Sequence, residues 1–577
     1  MRTKSFAAAA SAVIAAAALA LVGAPAAAST GTQAAAGAAA AGTRYVVLGA
    51  DGVSRADALA AIARAGGRVV AENRGIQTFT VESASAGFVA AVGREHALAG
   101  AARDQMVGQV PGAAKVDVNA EVQAAAAAAA KATAAGQTAA TAAPASTGAE
   151  PLADLQWDMR MVKADQAHLT NNGDRRVLVG ILDSGIDTSN PDLAANTNLA
   201  LSRNFVTDIP PLDGPCEFAG CVDPVGWDDN GHGSHVSGTV AAALNGVGTA
   251  GVAPGVTLVE IRGGQDAGFL FLNPVITALT YAADIGIDVV NMSFYLDPWL
   301  FNCTANPADS PEAQAEQRAI IAAMTRAMNY AHQHSVTMVN SLGNEHSDLG
   351  NPPVDTSSPD YPLGTAYPRT IDNATCLDLP VEGPYALGVS ALGPTGRKAD
   401  YSNYGLEQIT VSAPGGFFRD GFGTPTYRTN GNLVLSTYSK VRLQALGQVD
   451  ANGNIVPGFE GLVFKSCTAT GQCGYYTYLQ GTSMAAPHAT GVAALIVGRY
   501  GHKDKQHGGL TIDPDRVEQI LTDSAAKQPC RVPVESYLNE GRDSSYDAPC
   551  VGSLGFNSIY GHGIVDALAV VAGPFGG

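Results

Sequence analysis

The chain has 577 residues, with 34 basic against 52 acidic side chains and a net charge of −18 with histidine neutral. Hydrophobic residues make up 46% and charged ones 15%, which excludes a disordered acidic tail, and no basic stripe is present to neutralise the phosphates of a nucleic acid. Residues 1–150 carry 11 basic and 9 acidic side chains, so the rest of the chain carries −20 and two regions of different character are joined.

Arg2 and Lys4 precede an apolar run from Phe6 to Val22, and Ala26-Ala27-Ala28 follow Pro25. Charged, then apolar, then small is the order of a secretory signal, expected over residues 1–28. A membrane anchor competes with that reading, but the run is alanine-rich and no stop-transfer charges follow it. The sequence has no second apolar stretch of about 20 residues, which predicts a secreted, extracellular product without a membrane association.

Residues 44–110 differ from their surroundings. RYVVLGA predicts a strand, SRADALAAIARAGG an amphipathic helix closed by Gly66-Gly67, and GRVVAENRGIQTFTVES two strands about a turn at Asn73–Gly75. SAGFVAAVGREHALAG predicts a second helix and RDQMVGQV a last strand. The order β-α-β-β-α-β is that of the ferredoxin-like unit, a pattern with many owners. Seven Arg against six Asp/Glu leave it nearly neutral. Residues 111–150 contain seven consecutive alanines, Ala124–Ala130, and then Thr, Gly, Ser and Pro. They predict a flexible linker with at most a frayed helix, and a place for a processed junction.

All eight cysteines lie after the linker, at 216, 221, 303, 376, 467, 473, 530 and 550. An even number in an exported chain favours disulfides, and the lack of a C-x-x-C spacing argues against zinc. Eight cysteines allow 105 pairings. Proximity favours Cys216–Cys221, Cys467–Cys473 and Cys530–Cys550, with Cys303 and Cys376 left over.

Three later segments carry chemistry. Val177–Leu182 is an apolar run suited to a buried parallel strand, and it ends at Asp183, where ligands of α/β sheets gather. In DDNGHGSHVSGTVAAALNG a glycine turn leads into a tightly packed helix with His232 in its first turn. In LQGTSMAAPHATGVAALIVGRY, Ser483 opens another helix, where free N–H groups and the positive dipole end favour a developing oxyanion. A serine hydroxyl needs an imidazole to remove its proton, and the imidazole needs a carboxylate to fix its tautomer. Asp183, His232 and Ser483 provide the three in the chain order Asp…His…Ser. Asp187 and His235 are nearby competitors; only Asp183 directly ends the strand, and His235 and His488 read as packed helix histidines.

DSGID, GHGSHVSGT and GTSMAAPH resemble the three signature blocks of the subtilisin-like serine proteases. The resemblance covers residues 150–572 and ends in YGHGIVDALAV, similar to the closing helix of that family. It implies an α/β catalytic domain over 151–577, a mostly parallel sheet flanked by helices, with 44–110 as a small ferredoxin-like inhibitory prodomain. It places His232 rather than His235 as the base. It also implies that Asn344, in HSVTMVNSLGNEHSD, donates to the oxyanion from its side chain beside the Ser483 backbone N–H. The substrate-binding strand departs from the usual pattern: NMSFYLDPW keeps Asn291, Met292 and Ser293 but puts Phe294 and Tyr295 where glycines would leave room. Ser293, Phe294 and Tyr295 are thus expected to line a reshaped cleft. The separation of 251 residues between His232 and Ser483 implies insertions at 297–318, 346–385 and 416–478, the last a β-hairpin excursion.

Asp192 and Asn245 resemble two oxygen ligands of the family's common calcium site. The same residues fit an Asx turn and a helix-flanking aspartate, and the expected ligand near the mature N-terminus has no clear match, so the metal stays open. The chemistry itself needs no cofactor. The resulting expectation is a monomeric secreted endopeptidase acting on proteins or peptides, with its own prodomain as intramolecular inhibitor. A narrow processing peptidase and a catalytically silent binding protein are the rival readings.

Overall fold

The computed structural model describes residues 42–104, 119–134, 150–352 and 354–575. The expected signal segment lies outside them, as do 105–110 of the expected last strand and much of the linker.

The first unit runs β1 (Thr43–Gly49), α1 (Arg55–Arg64), β2 (Arg68–Asn73), β3 (Thr78–Ser83), α2 (Phe88–Val92) and β4 (Leu98–Arg103). Its antiparallel sheet has the order β2-β3-β1-β4. Side chains alternate across β1: Tyr45 and Val47 pack under the unit's own helices with Ile62 and Phe88, while Val46 and Leu48 join the core of the larger domain. Two boundaries differ from expectation. The second helix stops at Val92 rather than running to Gly100, and the last strand is LAGAAR rather than RDQMVGQV. Alanine favours helix locally, but pairing with β1 buries Leu98, Ala101 and Ala102, and that tertiary gain overrides propensity.

Part of the expected linker is also ordered. Residues Ala120–Ala134 form α3, fifteen residues long, with Val122 fully buried and Glu121 paired to Arg419 and Arg428 at 2.8 and 2.9 Å. Alanine supplies the helix propensity, and the docking of its first turn supplies what an isolated helix of this length lacks.

The larger domain then runs β5 (Leu178–Leu182), β6 (Arg203–Asn204), α4 (His232–Ala241), β7 (Thr257–Arg262), α5 (Leu272–Asp284), β8 (Val289–Met292), α6 (Pro311–Gln333), β9 (Thr337–Ser341), β10 (Ala386–Leu392), β11 (Ile409–Pro414), β12 (Val434–Tyr438), β13 (Val463–Cys467), β14 (Cys473–Leu479), α7 (Thr482–Tyr500) and α8 (Ala567–Ala572), with shorter elements between. Seven strands make one sheet in the order β11-β10-β9-β8-β5-β7-β6, each neighbouring pair parallel. This is the mostly parallel α/β arrangement expected. Val179 and Ile181 pack on one face with α4 and α7; Leu182 and Met292 pack on the other with α5 and α6. Burial on both faces explains why these strands read as apolar runs.

The first unit rests on α5 and α6. Asn73 Nδ2 donates to Thr280 Oγ1 at 2.7 Å, Arg326 pairs with Asp51 at 2.6 Å, and Arg103 lies between Glu312 and Glu316. Among the described residues no helix is long and apolar enough to cross a membrane.

The cysteines pair as Cys216–Cys221, Cys303–Cys376, Cys467–Cys473 and Cys530–Cys550, with none free. Cys303–Cys376 ties the insertions at 297–318 and 346–385, and the buried Arg369 joins them again through Asp309 and Asp355 at 2.9 and 3.2 Å. The insertion at 416–478 supplies β12, β14 and β13, an antiparallel sheet against α4 in which Thr437 Oγ1 donates to Ser234 O at 2.7 Å. Thiol titration of the denatured, unreduced protein is expected to find no reactive thiol. Two or more per chain would show a bridge missing.

Candidate active site

Asp183 directly follows β5 and is 3% exposed. Its Oδ1 accepts from the Ser184 N–H at 2.8 Å, which fixes the carboxylate plane. His232 is the first residue of α4, after Gly231 at φ +92°, a conformation that favours glycine. The helix comes so close to the strand end that a Cβ on Gly233 would lie 2.2 Å from Gly185 O. That glycine is what allows the imidazole to reach the carboxylate: His232 Nδ1 lies 2.8 and 3.0 Å from the two Asp183 oxygens.

Ser483 stands in the first turn of α7, beyond Gly481. Its hydroxyl donates to Ser293 O at 3.1 Å, and Ser293 Oγ donates back to Ser483 O at 3.0 Å. Asn291 Nδ2 in turn donates to Ser293 Oγ at 2.8 Å. The carboxylate–imidazole contact is thus made, while the Ser483 hydroxyl is turned to Ser293 O rather than to His232. Rotation about the serine χ1 to another staggered well is the motion that would change the partner of Oγ; such contacts commonly tighten only when substrate is bound.

Asn344 follows β9 through Gly343. Thr482 N–H and Oγ1–H both donate to Asn344 Oδ1 at 2.9 Å. With the carbonyl end held, the amide end makes no hydrogen bond among the described residues and lines the same cavity as Ser483. That cavity, about 550 Å³, also takes in Asp183, His232, Ser293, Phe294 and Tyr295, so every residue expected at the site lines one opening. Phe294 is half-buried against the core under α5 and α6; Tyr295 points its hydroxyl to Asp360 Oδ2 at 2.8 Å.

The competitors are occupied elsewhere. Asp187 accepts from the Ser189 and Lys440 N–H groups at 2.9 and 3.1 Å. His235 is fully buried with Nε2 3.2 Å from Val434 O and Thr477 O, and burial pushes its pKa down to about 3. His488 lies between Met484 O and Asp158.

Sequence reading missed several residues here. Asp360, Asp378 and Glu345 line the cavity; the first two come from loops that no motif marks, and Glu345 stands next to Asn344 without having been singled out. Asn119, at the start of α3, exchanges hydrogen bonds with the Gln480 backbone at 2.8 and 3.1 Å, three residues before Ser483. At a separate place, the fully buried Asp192 Oδ1 accepts no hydrogen bond among the described residues, while Oδ2 accepts from Tyr476 and Thr249. Burial raises its pKa to about 7, and Asn245 and Glu150 are beside it. Glu150 Oε1 accepts from the Gly246 N–H at 3.1 Å, which holds an acidic residue from the end of the linker against the loop that carries Asn245.

A family model described as the subtilase family matches residues 174–563. Fervidolysin of Fervidobacterium pennivorans is 28% identical over 357 residues, 61% of this chain and 39% of its own length. Subtilisin DY of Bacillus licheniformis is 26% identical over 346 residues, 60% of this chain and 85% of its own. The chain thus spans about two fifths of the first relative and most of the second. The epidermin leader peptide processing serine protease EpiP of Staphylococcus aureus superposes with a TM-score of 0.58 at 19% identity, covering 92% of this chain and 98% of that one. The fervidolysin crystal structure gives 0.53 at 19% identity, over 93% and 61%. At such identities these two share the fold.

Proposed function

The chain belongs to the subtilase family, and from that premise we propose that it is a secreted serine endopeptidase, acting as a monomer on protein or peptide substrates and made as a self-cleaving precursor. Ser483 Oγ attacks the scissile carbonyl while His232 takes its proton and returns it to the leaving amine; water then hydrolyses the acyl-enzyme by the same route. Asp183 holds the imidazole tautomer with the outer nitrogen able to accept. The Asn344 amide and the Ser483 N–H receive the oxyanion. The observation that carries this reading is the Asp183–His232 contact at the cavity that Ser483 and Asn344 also line.

Residues 44–110 act as the inhibitory prodomain. Near neutrality lets them pack on a strongly acidic partner without adding to its self-repulsion, and Arg103 between Glu312 and Glu316 supports that. A calcium ion would be held by Asp192, Asn245 and Glu150 with loop carbonyls, and the bare Asp192 Oδ1 fits such a role. Such an ion would stabilise the loop and take no part in the chemistry.

Intact mass spectrometry of wild type and the Ser483→Ala precursor tests the proposal. The wild type is expected to be cut between Val110 and Leu155, and the variant to stay whole in the absence of other proteases. An uncut wild type with full activity would remove the inhibitory role of the prodomain.

A further inference from the structure

The cavity beside Ser483 has an unusual far wall. Asp378 lines it, is 2% exposed, and its carboxylate accepts no hydrogen bond from any described residue. Burial, with Glu345, Glu382 and Asp355 close by, pushes its pKa well above the ordinary carboxylate range. A buried carboxyl without a donor is costly, and a cation brought beside it would offset that cost.

The backbone fixes Asp378 beside the substrate strand. Leu296 N–H donates to Leu379 O at 2.7 Å, so the segment carrying Asp378 runs next to Ser293-Phe294-Tyr295-Leu296. Just before it, Cys376–Leu377 pairs with Asn302–Cys303, and Cys303–Cys376 locks that pairing. Asp360 adds a second carboxylate to the same wall, turned by the Tyr295 hydroxyl at 2.8 Å. Glu345 is a third, with Oε2 accepting from Asn344 N–H and Asn403 Nδ2 at 2.8 and 2.9 Å. Leu300 and Ala366 supply apolar lining. A long aliphatic stem with a cation at its tip matches this sequence of surfaces, whereas a phenyl or leucyl side chain would leave Asp378 buried without a partner.

We propose that Asp378, assisted by Asp360, makes this cavity a selective pocket for arginine or lysine at the residue whose carbonyl Ser483 attacks. The inference rests on the endopeptidase reading above and narrows it to cleavage after basic residues. Guanidinium can bond two carboxylate oxygens at once, which places arginine ahead of lysine.

The test uses the matured protein and tetrapeptide amides that differ only in Arg, Lys, Leu, Phe or Glu before a fluorogenic leaving group. Arginine is expected to give the highest kcat/KM, then lysine. In Asp378→Asn the ratio of kcat/KM for arginine over leucine should fall by about 30-fold or more, as expected when one partner of a buried charge pair is removed. Benzamidine, an aromatic amidinium, should inhibit wild type competitively and the variant much less. Should Asp378→Asn fail to fold, Asp360→Asn is expected to lower the same ratio in the same direction. Leucine or phenylalanine preferred over arginine in wild type, or an unchanged ratio in the variants, would overturn the inference while leaving the peptidase intact. No hydrolysis of any peptide and no fluorophosphonate labelling of Ser483 would instead overturn the underlying reading.

Discussion

Replacing Ser483 with alanine is expected to lower peptide hydrolysis by on the order of 10⁶-fold, the scale that loss of the nucleophile carries in subtilisin itself. This corresponds to roughly 8 kcal/mol of transition-state stabilisation. The fold should survive the change. The hydroxyl makes one hydrogen bond, to Ser293 O at 3.1 Å, and its loss costs about 1 kcal/mol. The reciprocal bond, from Ser293 Oγ to Ser483 O at 3.0 Å, uses the backbone and remains. Any residual rate would come from the Asn344 amide and the positioning of substrate, which the substitution leaves in place. Steady-state hydrolysis, with a thermal melt as the control for folding, checks the result; equal activity in the two proteins would remove Ser483 from the mechanism.

Asp183→Asn should cost about 10⁴-fold in kcat with little change in fold. Asp183 is nearly isosteric with asparagine, and its Oδ1 contact to the Ser184 N–H at 2.8 Å can be kept by the amide oxygen. The cost arises at His232. Its Nδ1 now faces two carboxylate oxygens at 2.8 and 3.0 Å and must carry the proton to bond either. An amide NH₂ in one of those positions favours the opposite tautomer, with the proton on the nitrogen needed to accept from serine. The imidazolium formed during attack also loses its counter-charge. A variant whose kcat falls less than about tenfold would show that the carboxylate does not govern the tautomer.

The sheet and the three motif segments were legible because burial writes itself directly into sequence. Val177–Leu182 is apolar since both faces of β5 are covered, and its last residue hands the chain to Asp183 at the carboxyl end of this central strand. Glycines around His232 signalled a close approach, which Gly233 realises against Gly185. Less was legible where long-range pairing overrode local propensity: LAGAAR is strand because β1 lies beside it, and α3 is anchored by the burial of Val122 and by Arg419 and Arg428, which receive Glu121. The acidic wall was hidden for a similar reason. Asp378 sits between two leucines before Pro380, an acid within an apolar run. That signal marks a buried carboxylate, but only the Cys303–Cys376 pairing brings it to the cavity. Glu150, likewise, reads as the end of a linker until the loop at Gly246 folds over it.

The central claim, that Ser483 is a nucleophile activated by His232, is tested most directly by exposing the matured protein to a labelled fluorophosphonate and mapping the adduct by peptide mass spectrometry. One adduct per chain is expected, on the peptide carrying Gly481-Thr482-Ser483, with the rate of labelling greatly reduced in His232→Ala. Absence of an adduct in wild type, or labelling at another residue or at an equal rate without His232, would contradict the account.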